Sequence, residues 1–240
     1  MNDDEVTDLW NTCIIEAGEE TELANWEYTL DLTRFDTRNV TNMQTMFQNS
    51  RELISIKVSR NKWVNNSGCS TINMFAYCYS MTSLDLSKYN WSTSNVTNMD
   101  YMFAFCNNLK TINLRGLYTL NLNIMNSMFR GCISLEEITG IECIDTDKVT
   151  DMSFMFKDCR RLQVLYLNSW NTCNVDSMVR MFENCESLIL LDIRNFEYKD
   201  TCDTSYILSG ANTDVEVITE KNILAIRKDV KLWKKERVTN

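Results

Sequence analysis

The residues that could do chemistry in this 240-residue chain are chiefly its ten cysteines, because the sequence contains no histidine. Cysteine thiolates act as nucleophiles and as metal ligands, but those sites usually include a histidine as the base or as a further ligand. No Cys-x-x-Cys pair occurs. Five cysteines share one position of a repeat: Cys78, Cys106, Cys132, Cys159 and Cys185. This placement predicts small buried side chains rather than a catalytic or metal site.

The repeat is marked by a Met-Phe dipeptide that returns six times at intervals of 26 to 28 residues. Its phenylalanines are Phe47, Phe75, Phe103, Phe129, Phe156 and Phe182. A fixed period of this size is typical of a solenoid, because each unit is too small to bury its own apolar face and must stack on its neighbours. The repeat therefore predicts one elongated domain, an architecture that makes a conventional buried active site improbable.

One unit, residues 90–118, contains two apolar periodicities. In its first part the apolar residues follow steps of three, three, one, three and three: Val96, Met99, Met102, Phe103, Cys106 and Leu109. Such spacing is typical of one face of a short helix. Ile112 and Leu114 then alternate with polar residues, as in a strand that is buried on one side. Each unit is predicted to be a short helix, a turn and a short strand.

Threonines recur at two positions of the unit. The first set lies three residues before the apolar pattern starts: Thr37, Thr93, Thr119, Thr146 and Thr172. Their hydroxyls are predicted to satisfy backbone groups in the turn that leads to the helix. Thr41, Thr97 and Thr150 are predicted helix N-caps. The pattern weakens at residues 61–71 and 139–140, which predicts surface bulges or insertions at both places.

The phrases Asn39–Met43, Asn95–Leu114 and Met81–Ser87 resemble BspA-like leucine-rich repeats, and most closely a mycoplasma-type subgroup of unknown function. The resemblance covers about residues 28–198. With the unit described above, it implies an α/β solenoid: a right-handed stack of about seven helix–turn–strand coils with a parallel strand ladder and capped ends. Proteins of this kind are similar in having adhesive or protein-binding roles rather than enzymatic ones.

The ends of the chain have opposite charge. Residues 1–27 carry nine Asp or Glu and no Lys or Arg, and are predicted to form an acidic N-terminal cap. The solenoid is assigned to residues 28–198 and a C-terminal cap with a basic end to residues 199–240. Solenoid ends need such caps, because exposed strand edges otherwise pair with other chains. Association between the acidic and basic ends of two copies is the alternative to simple capping.

The outward side of the strand ladder is the predicted recognition surface, because strand residues alternate between the core and the solvent. Its candidate partner-binding residues are Asp85, Asn113, Val164, Tyr166, Leu190 and Asp192. Three of them, Val164, Tyr166 and Leu190, are apolar neighbours on an otherwise polar face, and such a group marks a possible protein contact. The alternative is that the C-terminal segment folds back and covers them.

Composition limits the function further. A net charge of −9 and a pI near 4.7 argue against a nucleic-acid-binding protein, which needs a basic surface. No apolar stretch reaches the length of a membrane span, and no cofactor or metal motif occurs. The sequence therefore predicts a non-enzymatic protein-interaction or structural module that binds a protein partner through its strand face or end caps. The alternatives are a structural component of a phage or large-virus particle, and a surface adhesin.

The location of the protein follows only indirectly from the sequence. The acidic start of the chain lacks the basic and apolar regions of a secretion signal. A cytoplasmic or virion-associated location is therefore expected, with the bacterial surface as the alternative.

Overall fold

The computed structural model describes residues 28–32, 40, 42–58, 70–88, 93–197 and 199–219. These residues form a parallel β-solenoid of about six turns, counted along the seven positions of a column of single backbone bridges, with short parallel strands on one side. The strands are β1 (Tyr28–Leu32), β2 (Leu53–Val58), β3 (Ser83–Asp85), β4 (Thr111–Asn113), β5 (Glu137–Thr139), β6 (Val164–Tyr166), β7 (Leu190–Asp192) and β8 (Glu216–Ile218).

Strands of consecutive coils pair side by side, and each of the five strand pairings is parallel. They form three sheets, in the orders β1-β2, β3-β4-β5 and β6-β7-β8. The register aligns equivalent residues of the repeat, so that Ile112 lies between Leu84 and Ile138. The predicted parallel strand ladder is confirmed.

A second column of backbone pairing runs along the solenoid at the start of each turn region. Single parallel bridges join, in order, Asn42, Ser70, Asn98, Ile124, Asp151, Ser177 and Asp203. The side chain at this position often accepts a hydrogen bond from the backbone two residues later. Asn98 Oδ1 accepts from Asp100 N at 2.7 Å, and Asp151 Oδ1 accepts from Ser153 N at 2.8 Å. These Asx turns begin the tight bend that follows.

The predicted short helices are not formed in the described coils, so the α/β class is not confirmed. The helical elements of the described residues are two 3-10 helices, Leu86–Lys88 and Ile141–Cys143. A run of overlapping tight turns surrounds each Met-Phe pair instead. Gln48 N donates to Thr45 O within its own turn at 2.9 Å, whereas Phe47 N donates across to Met74 O of the next coil at 2.8 Å. Alternate residues therefore bond within the turn and between coils.

Two residues with left-handed backbone conformation explain why these segments are not helices. They lie two positions before and two positions after the core phenylalanine; around Phe103 they are Tyr101 (φ 54°) and Phe105 (φ 60°). An α-helix needs negative φ at every residue, so each left-handed residue ends it. Without helices, Thr97 and Thr150 are not N-caps as predicted, and Thr41 lies outside the described residues.

The core is a column of stacked phenylalanine rings that runs through the coils. The six rings of the Met-Phe repeat are buried, and consecutive ring centroids lie 5.1 to 5.8 Å apart with interplanar angles of 3° to 21°. Offset stacking at such distances is favourable between aromatic rings. Methionine and leucine side chains of every coil surround the column, so one continuous apolar core joins the coils.

The solenoid continues beyond the predicted boundary at residue 198. Residues 199–219 form another coil, in which Asp203 joins the bridge column and β8 pairs with β7. The predicted acidic cap, the basic stretch after residue 219 and residues 61–69 of the weakened repeat lie outside the described residues. The described coils amount to about six turns where seven were predicted, and the right-handed winding stays a prediction.

Candidate protein-interaction surface

The five repeated cysteines form a column of hydrogen-bond donors inside the core. Each thiol donates to the carbonyl oxygen of the phenylalanine one coil earlier: Cys106 Sγ lies 3.1 Å from Phe75 O, and Cys132 Sγ lies 3.0 Å from Phe103 O. All five side chains are buried, and the eight described cysteines are free thiols. The prediction of small buried side chains is confirmed. The pattern did not predict the donor role, which adds a link between neighbouring coils.

Burial also controls the acidity of these thiols. It raises the pKa of Cys132, Cys159 and Cys185 well above the ordinary thiol value. It raises the pKa of the partly buried Cys202 to about 11. Because the thiolate is the reactive form of cysteine, the raised pKa lowers the reactivity of these four side chains near neutral pH.

The first set of threonines connects neighbouring coils. Thr146 Oγ1 donates to Asn171 O at 2.8 Å and accepts from Asn171 N at 2.9 Å. Thr172 makes the same pair of bonds with Glu197, and both threonines are buried. A hydroxyl can donate and accept at the same time, which matches the two loose backbone groups of the next coil. The prediction that these hydroxyls satisfy loose backbone groups is confirmed, but the groups belong to the next coil and not to a turn that leads to a helix.

The carboxylates with shifted acidity lie in the turn region. Burial raises the pKa of Asp100 to about 6, with a smaller contribution from the charge of Asp151. A hydrogen bond from the Ser205 side chain lowers the pKa of Asp203. Within the described coils, no three His, Cys, Asp or Glu side chains come together to hold a metal ion. Nor does any helix of the described part have the length and apolarity of a membrane span.

The apolar strand-face residues lie side by side on β6 and β7. Val164 pairs with Leu190 in the ladder. The side chain of Val164 is 36% exposed, and that of Leu190 is half-buried. Tyr166 is 54% exposed, and Ile189, which the sequence analysis did not select, is 52% exposed. We call these four residues the apolar patch. Ile189 was missed because it directly precedes the strand, where the alternation of strand residues does not predict direction.

Asp192 does not lie on the exposed face as predicted. Its side chain is buried, and its two carboxylate oxygens accept bonds from Arg194: Oδ1 from Nε at 2.9 Å and Oδ2 from Nη2 at 2.6 Å. Arg194 lies two residues beyond Asp192 and closes over it. A buried carboxylate needs such a partner, because an unpaired charge would be strongly destabilised away from water. The prediction of an exposed Asp192 is therefore wrong.

Asp85 and Asn113 are half-buried and join a small polar cluster on β3 and β4. Asp85 Oδ1 accepts from Ser87 Oγ at 2.6 Å, and Asn113 Nδ2 donates to the same Ser87 Oγ at 3.3 Å. They belong to a different sheet from the apolar patch. The structure therefore does not gather the six predicted residues into one site, and a partner-binding role for Asp85 and Asn113 stays a prediction.

Comparison with protein families identifies the relatives of the chain. The model of a family described as Mycoplasma protein of unknown function, DUF285, matches residues 17–116 and again residues 105–221. The chain belongs to this family. The two DUF285 matches overlap at residues 105–116, as is typical when a model spanning several units meets a continuous repeat. Searches of curated proteins and of solved structures found no match.

Proposed function

We propose that this DUF285 protein is a non-catalytic interaction module and that it binds a protein partner through the apolar patch. The observation that carries the proposal is the exposure of Tyr166 and Ile189, 54% and 52%, on a strand ladder whose outward residues in the other two sheets are mostly polar. Exposed tyrosine and large aliphatic side chains grouped on one face are typical of the centre of a protein interface. Polar side chains beside them, Gln163 and Glu216, supply the hydrated rim that such interfaces have.

A non-catalytic role agrees with the use of the chemically capable residues. The repeated thiols donate to core carbonyls, and the threonine hydroxyls join backbone groups of neighbouring coils. A nucleophile is usually activated by a nearby base, most often a histidine, and the chain has no histidine. Solenoids use extended outer faces for binding, so a surface site is the expected place of function.

We propose in addition that the DUF285 repeat is a member of the wider BspA-like leucine-rich-repeat class, with right-handed coils. The support is the sequence phrase Asn95–Leu114 and the preference of parallel strand connections for right-handed crossovers. A role in a virus particle, association through the two ends, and the cellular location stay predictions.

Tyr166→Ala is expected to weaken partner binding about tenfold while changing the free energy of unfolding by no more than about 0.5 kcal/mol. The reason is that an exposed interface side chain contributes to the complex and little to the fold. The immobilised chain would be used to capture proteins from a lysate of the source cells, and mass spectrometry would identify the captured partner. Titration of the purified partner would then give the affinity of each variant. Tyr118→Ala is the matched control, because Tyr118 is 55% exposed and lies outside the strands.

Equal recovery of the same partner by the wild-type chain and by Tyr166→Ala would contradict the proposal. A marked loss of melting temperature in Tyr166→Ala would also contradict it, because that result means that the side chain is covered in the folded chain.

A further inference from the structure

A ribbon of aromatic and arginine side chains crosses the face formed by the turns. Its members, in spatial order, are Arg51, Tyr79, Tyr77, Phe105, Arg130 and Phe154. The two arginine carbons Cζ lie 5.5 to 5.7 Å from the neighbouring ring centroids, and neighbouring rings lie 4.9 to 6.2 Å apart. We call this set the aromatic–arginine ribbon. Arg130 lies between two rings, those of Phe105 and Phe154, which hold its guanidinium in one place.

The backbone conformation does not favour aromatic residues at three positions of the ribbon. Tyr77, Phe105 and Phe154 stand at left-handed positions, with φ of 64°, 60° and 58°. Bulky side chains are disfavoured there, and asparagine or glycine is the usual occupant. Other coils follow that rule at the position of Tyr77 and Phe105, two residues after the core phenylalanine, with Asn184 and Gly210; Phe154 occupies the other left-handed position, two residues before it. Aromatic rings in strained positions that are still partly exposed indicate a surface function.

The two arginines of the ribbon differ from the other described arginines in having no carboxylate partner. Five described arginines form ion pairs: Arg115, Arg160, Arg161, Arg180 and Arg194. In the part of the chain that the structure describes, neither Arg51 nor Arg130 has an ion pair, and Arg130 Nε is buried without a hydrogen-bond partner. In a protein of net charge −9, these two unpaired arginines make the ribbon a surface that favours negative charge.

On the neighbouring part of the same face, the positive charges of Lys157 and Arg180 are already paired with a carboxylate. Glu183 accepts from Lys157 and, at 2.7 Å, from Arg180, whose guanidinium lies 4.7 Å from the Tyr206 ring centroid. Asp158 accepts from Asn184 Nδ2 at 2.7 Å. On the described part of this face, the arginines left for an outside anion are therefore Arg51 and Arg130.

We propose that the aromatic–arginine ribbon binds an extended acidic peptide segment of a partner protein, with one carboxylate on Arg51 and another on Arg130. A guanidinium binds a carboxylate through two parallel hydrogen bonds, and the rings between the arginines pack against the intervening residues. The links of the ribbon limit the distance between the arginines, so at about 3.3 Å per residue a segment of about six or seven residues reaches from one to the other. This surface is separate from the apolar patch, so either proposal can fail without the other.

The test is a selection of displayed random peptides of about eight residues on the immobilised full chain. The selected peptides are expected to carry at least two Asp or Glu residues separated by several positions. The affinity of a synthetic copy of a selected peptide would then be measured by fluorescence titration. We expect this affinity to fall about tenfold in Arg130→Gln and in Arg51→Gln, and to fall when the salt concentration is raised. Arg115→Gln is the matched control, since it removes an exposed arginine at the strand corner and should leave the affinity unchanged.

Arg51 is exposed, so Arg51→Gln keeps the test valid even if Arg130→Gln lowers the melting temperature. Any of three results would overturn the proposal. The selected peptides could lack acidic residues, they could bind Arg51→Gln as tightly as the wild type, or the selection could show no enrichment over the support without protein.

Discussion

Phe103→Ala is expected to lower the free energy of unfolding by about 3–5 kcal/mol, the usual cost of removing a buried phenylalanine ring. Phe103 is fully buried, and its ring lies 5.6 Å from the ring of Phe75 and 5.5 Å from the ring of Phe129. The substitution therefore leaves a cavity and removes two stacking contacts at once. Since solenoid coils are stabilised by their neighbours, the loss affects both adjacent interfaces.

Chemical denaturation of the purified chain would measure this loss. Leu120→Ala is the control, because Leu120 is 58% exposed and its removal should change the free energy of unfolding by no more than about 0.5 kcal/mol. Similar small losses in both variants would mean that the phenylalanine column is not the core of the folded protein.

Gly140→Ala is expected to destabilise the fold by about 2–4 kcal/mol through two effects that act together. Gly140 has φ of 78°, a conformation that alanine adopts only with strain. A Cβ atom at this position would lie 2.5 Å from Arg115 N and 3.1 Å from Arg115 Cα of the preceding coil. Those are backbone atoms of the solenoid, so the contact cannot be relieved by turning a side chain.

Gly116→Ala separates the two effects. Gly116 also has positive φ, 93°, but its nearest neighbours for a Cβ atom are Leu86 O at 3.6 Å and Ser87 Cα at 3.7 Å, which is ordinary contact. Its expected loss is about 1–2 kcal/mol, from the backbone alone. Equal losses for the two variants, measured by denaturation, would contradict the close approach of the coils at Gly140.

The sequence predicts the stacking of coils well because the positions that carry the stacking recur. The Met-Phe repeat locates the core column, and the alternation of Ile112 and Leu114 locates a strand and its buried side. The weakening of the repeat at residues 139–140 also has a structural counterpart. Gly140 has a left-handed backbone conformation, and Ile141, the first residue of a 3-10 helix, is buried in the core. The apolar period was sufficient for these features.

The local backbone was predicted wrongly because overlapping turns and a helix place apolar side chains at similar intervals. The left-handed residues decide between them, and several are tyrosine, phenylalanine or arginine, which do not signal that conformation. Asp192 was predicted as exposed because strand alternation takes no account of the later Arg194 that covers it. Likewise, the aromatic–arginine ribbon joins residues from different coils, so no local pattern in the sequence predicts it.

Mapping of alkylated cysteines tests most directly the central claim that the repeated residues of this chain form one continuous core of stacked coils. Folded protein would be treated with N-ethylmaleimide at neutral pH, and the modified sites would be identified by mass spectrometry. We expect modification of the exposed Cys143 and Cys173, while the five core cysteines react only after denaturant is added. Modification of the core cysteines in the folded protein, as fast as that of Cys143, would contradict the account.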